Sequence, residues 1–389
     1  MRYPKFYPKK HDLAECKRCI YDERIPGISF DDNGICNYCH QYDVMDQSYP
    51  NDERGGVMLQ SYIDQMKKDG KNKPYDVVIG VSGGCDSSYM LHLAKQYGLR
   101  VIASHFDNTY NSRTAVENIQ IMLQKLNYDL YTHVVDNQEF QRILRSFFLS
   151  SVPEIDVATD LALATVHYMT ASKYGVKYIW QGHSFRTEGI SPPGWFYMDA
   201  KYIDTIHKTY GDGKIKTLPL LWMTKWMKWM LIDKIKMFRP LYYIDYNKEK
   251  AKKFLSEEYG WQWYGGHHME NRTAYFANNY YLPEKFGIDL RYSEFSGLVR
   301  SGQLTREQAT QKIQEKKPFD EEILDEIKSR VGFSDSDFER VMNAPPKHYT
   351  DFKSYKETFE RFRGLFYLLY KAGYITRSFY DKYCVARQQ

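Results

Sequence analysis

Apolar residues along the middle of this chain recur in two alternating rhythms. Tyr75-Asp76-Val77-Val78-Ile79-Gly80-Val81 is a short run rich in valine and isoleucine, the pattern of a strand buried on both faces. After a serine–glycine turn, Tyr89-Met90-Leu91-His92-Leu93-Ala94 places apolar residues at helical spacing behind hydroxyl and carboxylate caps. The alternation continues with a strand at Arg100–Asp107, a helix across about Arg113–Leu126 and a strand at Leu130–Val135. Helices follow through Gln138–Tyr174, then a strand at Lys177–Gln181 that opens into Gly182-His183. Strands separated by helices pair in parallel through crossovers, so the stretch predicts an α/β fold: a parallel sheet flanked by helices. A helical linker precedes it near Gly56–Lys68.

One helical segment has a different character. In Leu218–Ile232, Trp222, Trp226 and Trp229 fall at i, i+4 and i+7, as do Met223, Met227 and Met230. Lys225 and Lys228 lie off that face. Core packing is the ordinary role of such a stripe; a docking surface, a wall of a substrate site and a membrane surface are the others.

Composition narrows the function classes. Forty-three per cent hydrophobic and 26% charged residues describe a folded chain. No run of about 18 apolar residues occurs and the N-terminus reads straight into polar sequence, so a cytoplasmic protein is expected. A net charge of +5 suits a polyanionic ligand without requiring nucleic acid. Aromatic residues reach 16%, with 35 tyrosines, which serves a core or a site that stacks sugars or bases.

Four of the six cysteines fall within 24 residues, as Cys16-x-x-Cys19 and Cys36-x-x-Cys39. This is the spacing of a four-thiolate zinc ribbon, in which each pair sits on a tight turn and aims two sulfurs at one point. Pro26-Gly27 and Asp32-Asn33-Gly34 are turn signals around a short strand, Ile28-Ser29-Phe30. Four protein ligands leave no open position, so the expected role is structural. Disulfides are disfavoured without an export signal; an iron–sulfur cluster takes the same thiolates.

Between the first strand and its helix, Ser82-Gly83-Gly84-Cys85-Asp86-Ser87-Ser88 combines paired glycines with helix-start amides and three hydroxyls, an anion cradle. Neither a Gly-Lys-Ser/Thr loop nor a Gly-x-Gly-x-x-Gly turn is present there. Ser-Gly-Gly-x-Asp-Ser after an apolar strand resembles the signature of the PP-loop ATP pyrophosphatases. That resemblance implies a five-stranded parallel sheet of the adenine nucleotide alpha hydrolase-like kind. It also implies cleavage of ATP between its α- and β-phosphates, with adenylation of a substrate oxygen. On the same basis Ser82, Gly83, Gly84, Asp86, Ser87 and Ser88 hold the pyrophosphate portion of ATP, with Asp86 near Mg2+. Ligands of open parallel sheets sit beyond the carboxyl ends of the strands, so Asp107, Gly182 and His183 border the ATP crevice. Asp107 is otherwise a cap or turn residue, and His183 otherwise a core histidine.

Further segments resemble the N-acetyl sugar amidotransferase family of bacterial surface-polysaccharide and LPS O-antigen biosynthesis. They are Pro26-Gly27-Ile28-Ser29-Phe30-Asp31 beside the ribbon, His267-His268-Met269-Glu270-Asn271-Arg272-Thr273, Leu282–Asp289 and Ser301–Glu307. The resemblance spans roughly residues 12–310; the helical tail after about 320 carries no assignable motif. It implies a zinc ribbon over residues 1–50, a linker over 51–74, the PP-loop ATP-binding domain over 75–250 and a mainly helical C-terminal substrate or partner region over 251–389.

The implied reaction converts an acetamido group of a sugar, nucleotide-linked or free, into acetamidino. AMP transfer to the carbonyl oxygen makes a leaving group, ammonia attacks the carbon, and AMP departs. Ammonia becomes cationic as it attacks, so a base is needed. His267, Glu270 and Glu188 are the candidates, beside Asp86 and His183 in the catalytic set; His267-His268 is otherwise a solvated turn after Gly265-Gly266. Arg186 and Arg272 are candidates for a sugar-linked diphosphate or carboxylate. Arg239-Pro240-Leu241 resembles the segment that closes many PP-loop domains.

No glutaminase signature accompanies these motifs. Met1-Arg2 offers no N-terminal cysteine, no Gly-x-Cys-x-Gly elbow occurs, and Cys85 and Cys384 lack the surroundings of a glutamine-cleaving thiol. The resemblance therefore implies a separate glutaminase subunit supplying ammonia, with a barrel-like channel subunit as a further partner. The competing class is tRNA modification, since a zinc ribbon beside a PP-loop also describes tRNA sulfur transferases. Against it stand a small net charge and the absence of any thiol but Cys85 in the central domain.

Overall fold

The computed structural model describes residues 13–266, 269–317 and 319–385. The cysteine segment leads into α1 (Asn37–Ser48) and α2 (Glu53–Gly70). Then come β1 (Val77–Gly80), α3 (Cys85–Gln96), β2 (Val101–Asp107), α4 (Arg113–Leu126), β3 (Asp129–Val134), α5 (Asn137–Ser150) and α6 (Val157–Tyr174). β4 (Tyr178–Trp180), α7 (Ala200–Tyr210), α8 (Met223–Leu231) and β5 (Lys236–Phe238) complete the sheet region. The C-terminal part is helical: α9 (Lys248–Tyr259), α10 (Arg272–Phe276), α11 (Arg291–Arg300), α12 (Arg306–Gln314), α13 (Glu321–Val331), α14 (Asp335–Asn343) and shorter helices beyond.

The five strands are parallel in the order β3-β2-β1-β4-β5. The chain leaves β1 toward β2 and β3 on one side, then returns through α5 and α6 to β4 on the other. That reversal opens a crevice at the carboxyl end of β1. Strand side chains alternate between two cores. Val78, Ile102, Phe106 and Ile179 pack with residues of α5 to α8, and Val77, Ile79, Val101, Ala103 and Trp180 with residues of α2, α3, α4 and α9. Each large apolar side chain so buried contributes about 1.5–3 kcal/mol.

Local chemistry explains where elements begin and end. Ser112 caps α4 through Ala115 N–H and Asn127 ends it in the left-handed conformation at φ 56°, so the helix spans the predicted residues. Asp52 caps α2 and starts it earlier than the apolar spacing implied. β3 is shifted one residue from its predicted span, and its alternately half-exposed edge position explains the weaker signal. β5 is three residues long, too short to leave a periodic trace. In α8, Trp226, Trp229 and Met230 are core residues; Trp229 stacks on Tyr168 at 5.5 Å, while Trp222 precedes the helix and is 37% exposed. Among the described residues no helix is long and apolar enough to cross a membrane.

Candidate active site and metal centre

The loop after β1 is held open by its own backbone. Gly83 has φ +79°, and a Cβ there would lie 2.2 Å from the Ala115 carbonyl oxygen. Its carbonyl accepts from Trp261 Nε1 at 3.0 Å and Asn118 Nδ2 at 3.1 Å, which fixes the peptide. Gly84 is the N-cap of α3 and brings no capping side chain; a Cβ on it would crowd Tyr264 and Glu270. Ser82 Oγ accepts from Gly84 N at 3.2 Å, and Ser87 Oγ donates to Gly84 O at 3.1 Å. These two hydroxyls belong to the loop. Ser88, expected as a third, lies in the first turn of α3 and is 2% exposed.

Asp86 accepts from Tyr246 Oη at 2.5 Å and from Lys248 Nζ at 3.0 Å. Burial alone would raise its pKa, but the Lys248 charge and the hydrogen bonds from Tyr246 and Lys248 hold the carboxyl below the usual range. Burial works against the Lys248 charge too, and the carboxylates of Asp86, Glu188 and Glu294 outweigh it, so its ammonium is held above the ordinary lysine range. Gly182 packs on Asp86, whose Cβ would be 3.2 Å from a Cβ at position 182. His183 Nδ1 is 3.1 Å from Tyr242 Oη, and its Nε2 is 3.7 Å from Glu188 Oε2. Asp86, Gly182, His183 and Glu188 thus share one end of the sheet.

Glu270 reaches the same loop from the other side. Its Oε1 accepts from Ser82 Oγ at 3.4 Å, and its carbonyl accepts from Ser112 N at 2.8 Å. His267 lies outside the described residues. Asp107 Oδ1 accepts from Thr109 N at 2.7 Å and Asn111 Nδ2 at 3.2 Å, so it caps the turn that leaves β2.

The two arginines expected at a substrate are engaged elsewhere. Arg186 is 3% exposed and donates to Asp46 Oδ1, the Tyr49 carbonyl and the Tyr242 carbonyl. Satisfied on three sides by protein, it ties α1 to the sheet. Arg272 pairs with Glu326 of α13 on the half-exposed flank of α10.

Lys248, Tyr246 and Glu294 are the site residues that sequence reasoning missed. Lys248 is one of four lysines in Lys248-Glu249-Lys250-Ala251-Lys252-Lys253, and nothing in that run distinguishes it. Its distinction comes from opening α9 right beside α3.

A cavity of about 400 Å³ runs from Ser82 and Glu270 past His105 and Asn111 to Glu154 and Tyr197. A second, of about 340 Å³, lies between α6, α8 and the C-terminal helices, with His183, Gln181 and Arg239 at one end. Met198 and Lys382 line both. His105 lines the first cavity and donates its Nδ1–H to the Val81 carbonyl at 2.8 Å, and burial lowers its pKa.

The four ribbon cysteines are fully buried and their sulfurs converge. Cys16 Sγ is 3.8 Å from Cys39 Sγ, Cys19 Sγ 3.8 Å from Cys36 Sγ, and Cys36 Sγ 3.6 Å from Cys39 Sγ. Four sulfurs about 2.3 Å from one central ion stand about 3.8 Å apart, so the set fits a single tetrahedral metal.

With the site in view, comparison with known proteins is informative at one end of the chain. Residues 270–365 match the family model described as LPS biosynthesis protein WbpG-like, C-terminal domain. Over those residues the chain is similar to that family. That match begins at Glu270, the residue over the loop. No curated protein matches the chain. Among solved structures, an NMN synthetase from Francisella tularensis is 18% identical, with 58% of this chain and 92% of that one covered and a TM-score of 0.29. An NH3-dependent NAD synthetase from Campylobacter jejuni subsp. jejuni NCTC 11168 is 13% identical, covering 75% and 98%, with a TM-score of 0.32. The U34-tRNA thiolase NcsA from Methanococcus maripaludis is 11% identical, covering 78% and 89%, with a TM-score of 0.31. Likeness at this level adds nothing to the strand order and loop geometry already described.

Proposed function

We propose that this protein is an ATP-dependent amidotransferase that converts an N-acetyl group of a bacterial LPS sugar into an acetamidino group in the cytoplasm. One observation carries the reading: Glu270, the first residue matched by the WbpG-like family model, stands over the loop whose Asp86 pairs with Lys248, and its Oε1 accepts from Ser82 Oγ. The loop hydroxyls and helix-start amides hold the pyrophosphate portion of ATP, and the adjoining cavity takes adenosine. Asp86, with Glu188 close by, offers carboxylate oxygens that would hold magnesium, which would supply neutralising charge for the pyrophosphate leaving group. The ribbon cysteines hold zinc as a structural ion.

The reaction balances without water. The amide oxygen attacks the α-phosphorus of ATP, pyrophosphate leaves, and an O-adenylyl imidate forms. Ammonia adds to its carbon and loses a proton, and AMP departs with the original amide oxygen. Glu188 and His183, 3.7 Å apart, are placed to receive that proton, with Glu270 on the opposite side of the loop.

Ammonia comes from a separate glutaminase subunit, with a barrel-like channel subunit between the two. Both cysteines outside the ribbon are buried thiols, and burial pushes the pKa of Cys85 and of Cys384 up to about 12. The same feature counts against a thiol-dependent tRNA thiolase.

The test is isotopic. An N-acetyl sugar carrying 18O in its acetamido carbonyl, incubated with ATP, magnesium and ammonia, should yield an amidine one mass unit lighter than the unlabelled acetamide and AMP that carries the label. Label retained in the sugar, or ADP in place of AMP, would sink the reading.

A further inference from the structure

Arg300, the last residue of α11, is 6% exposed, and none of its partners among the described residues is a carboxylate. Its Nε donates to Cys39 Sγ at 3.3 Å; its Nη2 donates to Cys19 Sγ at 3.1 Å and lies 3.9 Å from Cys36 Sγ. The guanidinium carbon is 4.7 Å from the centroid of the Tyr21 ring. The remaining sulfur, Cys16, accepts backbone N–H from Cys36 at 3.3 Å and Arg18 at 3.4 Å.

A buried guanidinium requires anionic partners. Four thiolates around a divalent ion carry a net negative charge, and the N–H groups that Arg300 points at Cys39 and Cys19 complement it.

α11 also grips the far side of the candidate active site. Ser293 Oγ donates to the Glu188 carbonyl at 3.1 Å, and Ser301 Oγ to the Arg186 carbonyl at 2.9 Å. Gly297 packs so closely on Gly189 that a Cβ would lie 2.6 Å from the Gly189 nitrogen. Glu294, on the same helix, acts electrostatically on Lys248.

We propose that Arg300 is a positioning residue that couples metal occupancy of the four-cysteine centre to the active site. By binding the charge of the metal–thiolate group it anchors α11, and α11 holds the 186–189 segment, with Glu188, against the Asp86–Lys248 pair. The metal then sets the geometry of a site it never touches.

Arg300→Met keeps the aliphatic stem without the charge, and Arg300→Lys keeps the charge without the fork. With zinc as the probe metal and the full chain, competition against a chromophoric chelator should show affinity lowered about 10–100-fold in Arg300→Met and by less in Arg300→Lys. Hydrogen exchange of the wild type, with and without zinc, should show faster exchange after zinc removal at 186–189 and 291–300 as well as at 16–39. Zinc affinity unchanged in a folded Arg300→Met protein overturns the proposal. So does an exchange response confined to 16–39, a measurement on the wild type that stands even if the variant does not fold.

Discussion

Lys248 Nζ lies 3.0 Å from Asp86 Oδ2, and the two side chains are 12% and 18% exposed. Removing one partner of such a pair leaves the other charged and desolvated. Lys248→Met is therefore expected to cost about 3–5 kcal/mol. Adding Asp86→Asn should return part of it, so urea unfolding of both single variants and the double should be non-additive. The pH window follows from the directions of the two shifts. Asp86 is depressed, so its share is present above about pH 3.9 and is lost as pH falls through its folded value. Lys248 is raised, so its share is present below about pH 10.4 and is lost as pH rises through its folded value. Additive losses at pH 7 would show that the pair contributes nothing as a pair.

How far the sequence discloses this site depends on distance along the chain. The strand–loop–helix around Ser82 is local, since an apolar run, paired glycines and a helix start lie within about twenty residues, and the fold reproduces it. α4 was equally legible because its cap, its apolar face and its asparagine stop are consecutive. Lys248 and Asp86 are 162 residues apart, and their meeting depends on how α9 lies against α3. Arg186 shows the opposite failure. Its type and neighbours suit an anion, yet its partners Asp46 and Tyr49 come from α1 and the residue after it, about 140 positions away.

The two loop glycines should fail differently when replaced. At Gly83 a methyl group meets backbone, 2.2 Å from the Ala115 oxygen, at φ +79°. At Gly84 it meets Ser82 Oγ and the Tyr264 hydroxyl at 3.1 Å and Glu270 Oε1 at 3.2 Å, side-chain atoms rather than backbone. Gly83→Ala is expected to lower the melting temperature by several degrees and abolish ATP binding. Gly84→Ala should melt within about 2 °C of the wild type while weakening ATP at least tenfold by calorimetric titration. Equal melting temperatures for the two variants would contradict the clash assigned to Gly83.

Arg186 is predicted to matter for stability alone. Its guanidinium is buried on Asp46, whose own side chain is 46% exposed and screened, so the ion pair is worth less than a fully buried one. Losing it together with hydrogen bonds to two carbonyls should cost about 2–4 kcal/mol in Arg186→Met. At a temperature where the variant stays folded, KM for the sugar should match the wild type. A KM raised tenfold or more would return Arg186 to the substrate.

His167 and Glu154 oppose each other in pH-dependent stability. Burial and then His105 lower His167 to about 4, while burial raises Glu154 to about 7 against hydrogen bonds from Tyr197 and Tyr202. Between about pH 4 and 6.5 the unfolded chain binds the extra proton at His167, so that residue makes stability rise with pH. Between about pH 4.5 and 7 the native state holds the extra proton at Glu154, so that residue makes stability fall with pH. Each swing amounts to about 3 kcal/mol. Denaturant titrations from pH 4.5 to 6.5 should therefore give a more negative slope of stability on pH in His167→Gln than in the wild type, and a more positive one in Glu154→Gln. Parallel curves for all three proteins would show that neither shift exists.

Cys85 sits inside the Ser82–Ser88 loop, the position where a covalent mechanism would place its sulfur. The geometry argues otherwise. The thiol is 1% exposed, its Sγ lies 3.6 Å from Tyr246 Oη and 3.8 Å from the Lys248 carbonyl, and burial and then the Asp86 charge push its pKa up to about 12. Such a thiol is scarcely ionised at neutral pH and does not attack. Cys85→Ala should lose about 1 kcal/mol to the small cavity it leaves and keep ammonia-supported turnover within about twofold of the wild type. Iodoacetamide should leave Cys85 of the folded wild type unmodified while alkylating it in denaturant. A Cys85→Ala protein that is folded, binds ATP and is inactive would instead make the thiol a participant and reopen the sulfur-transfer reading.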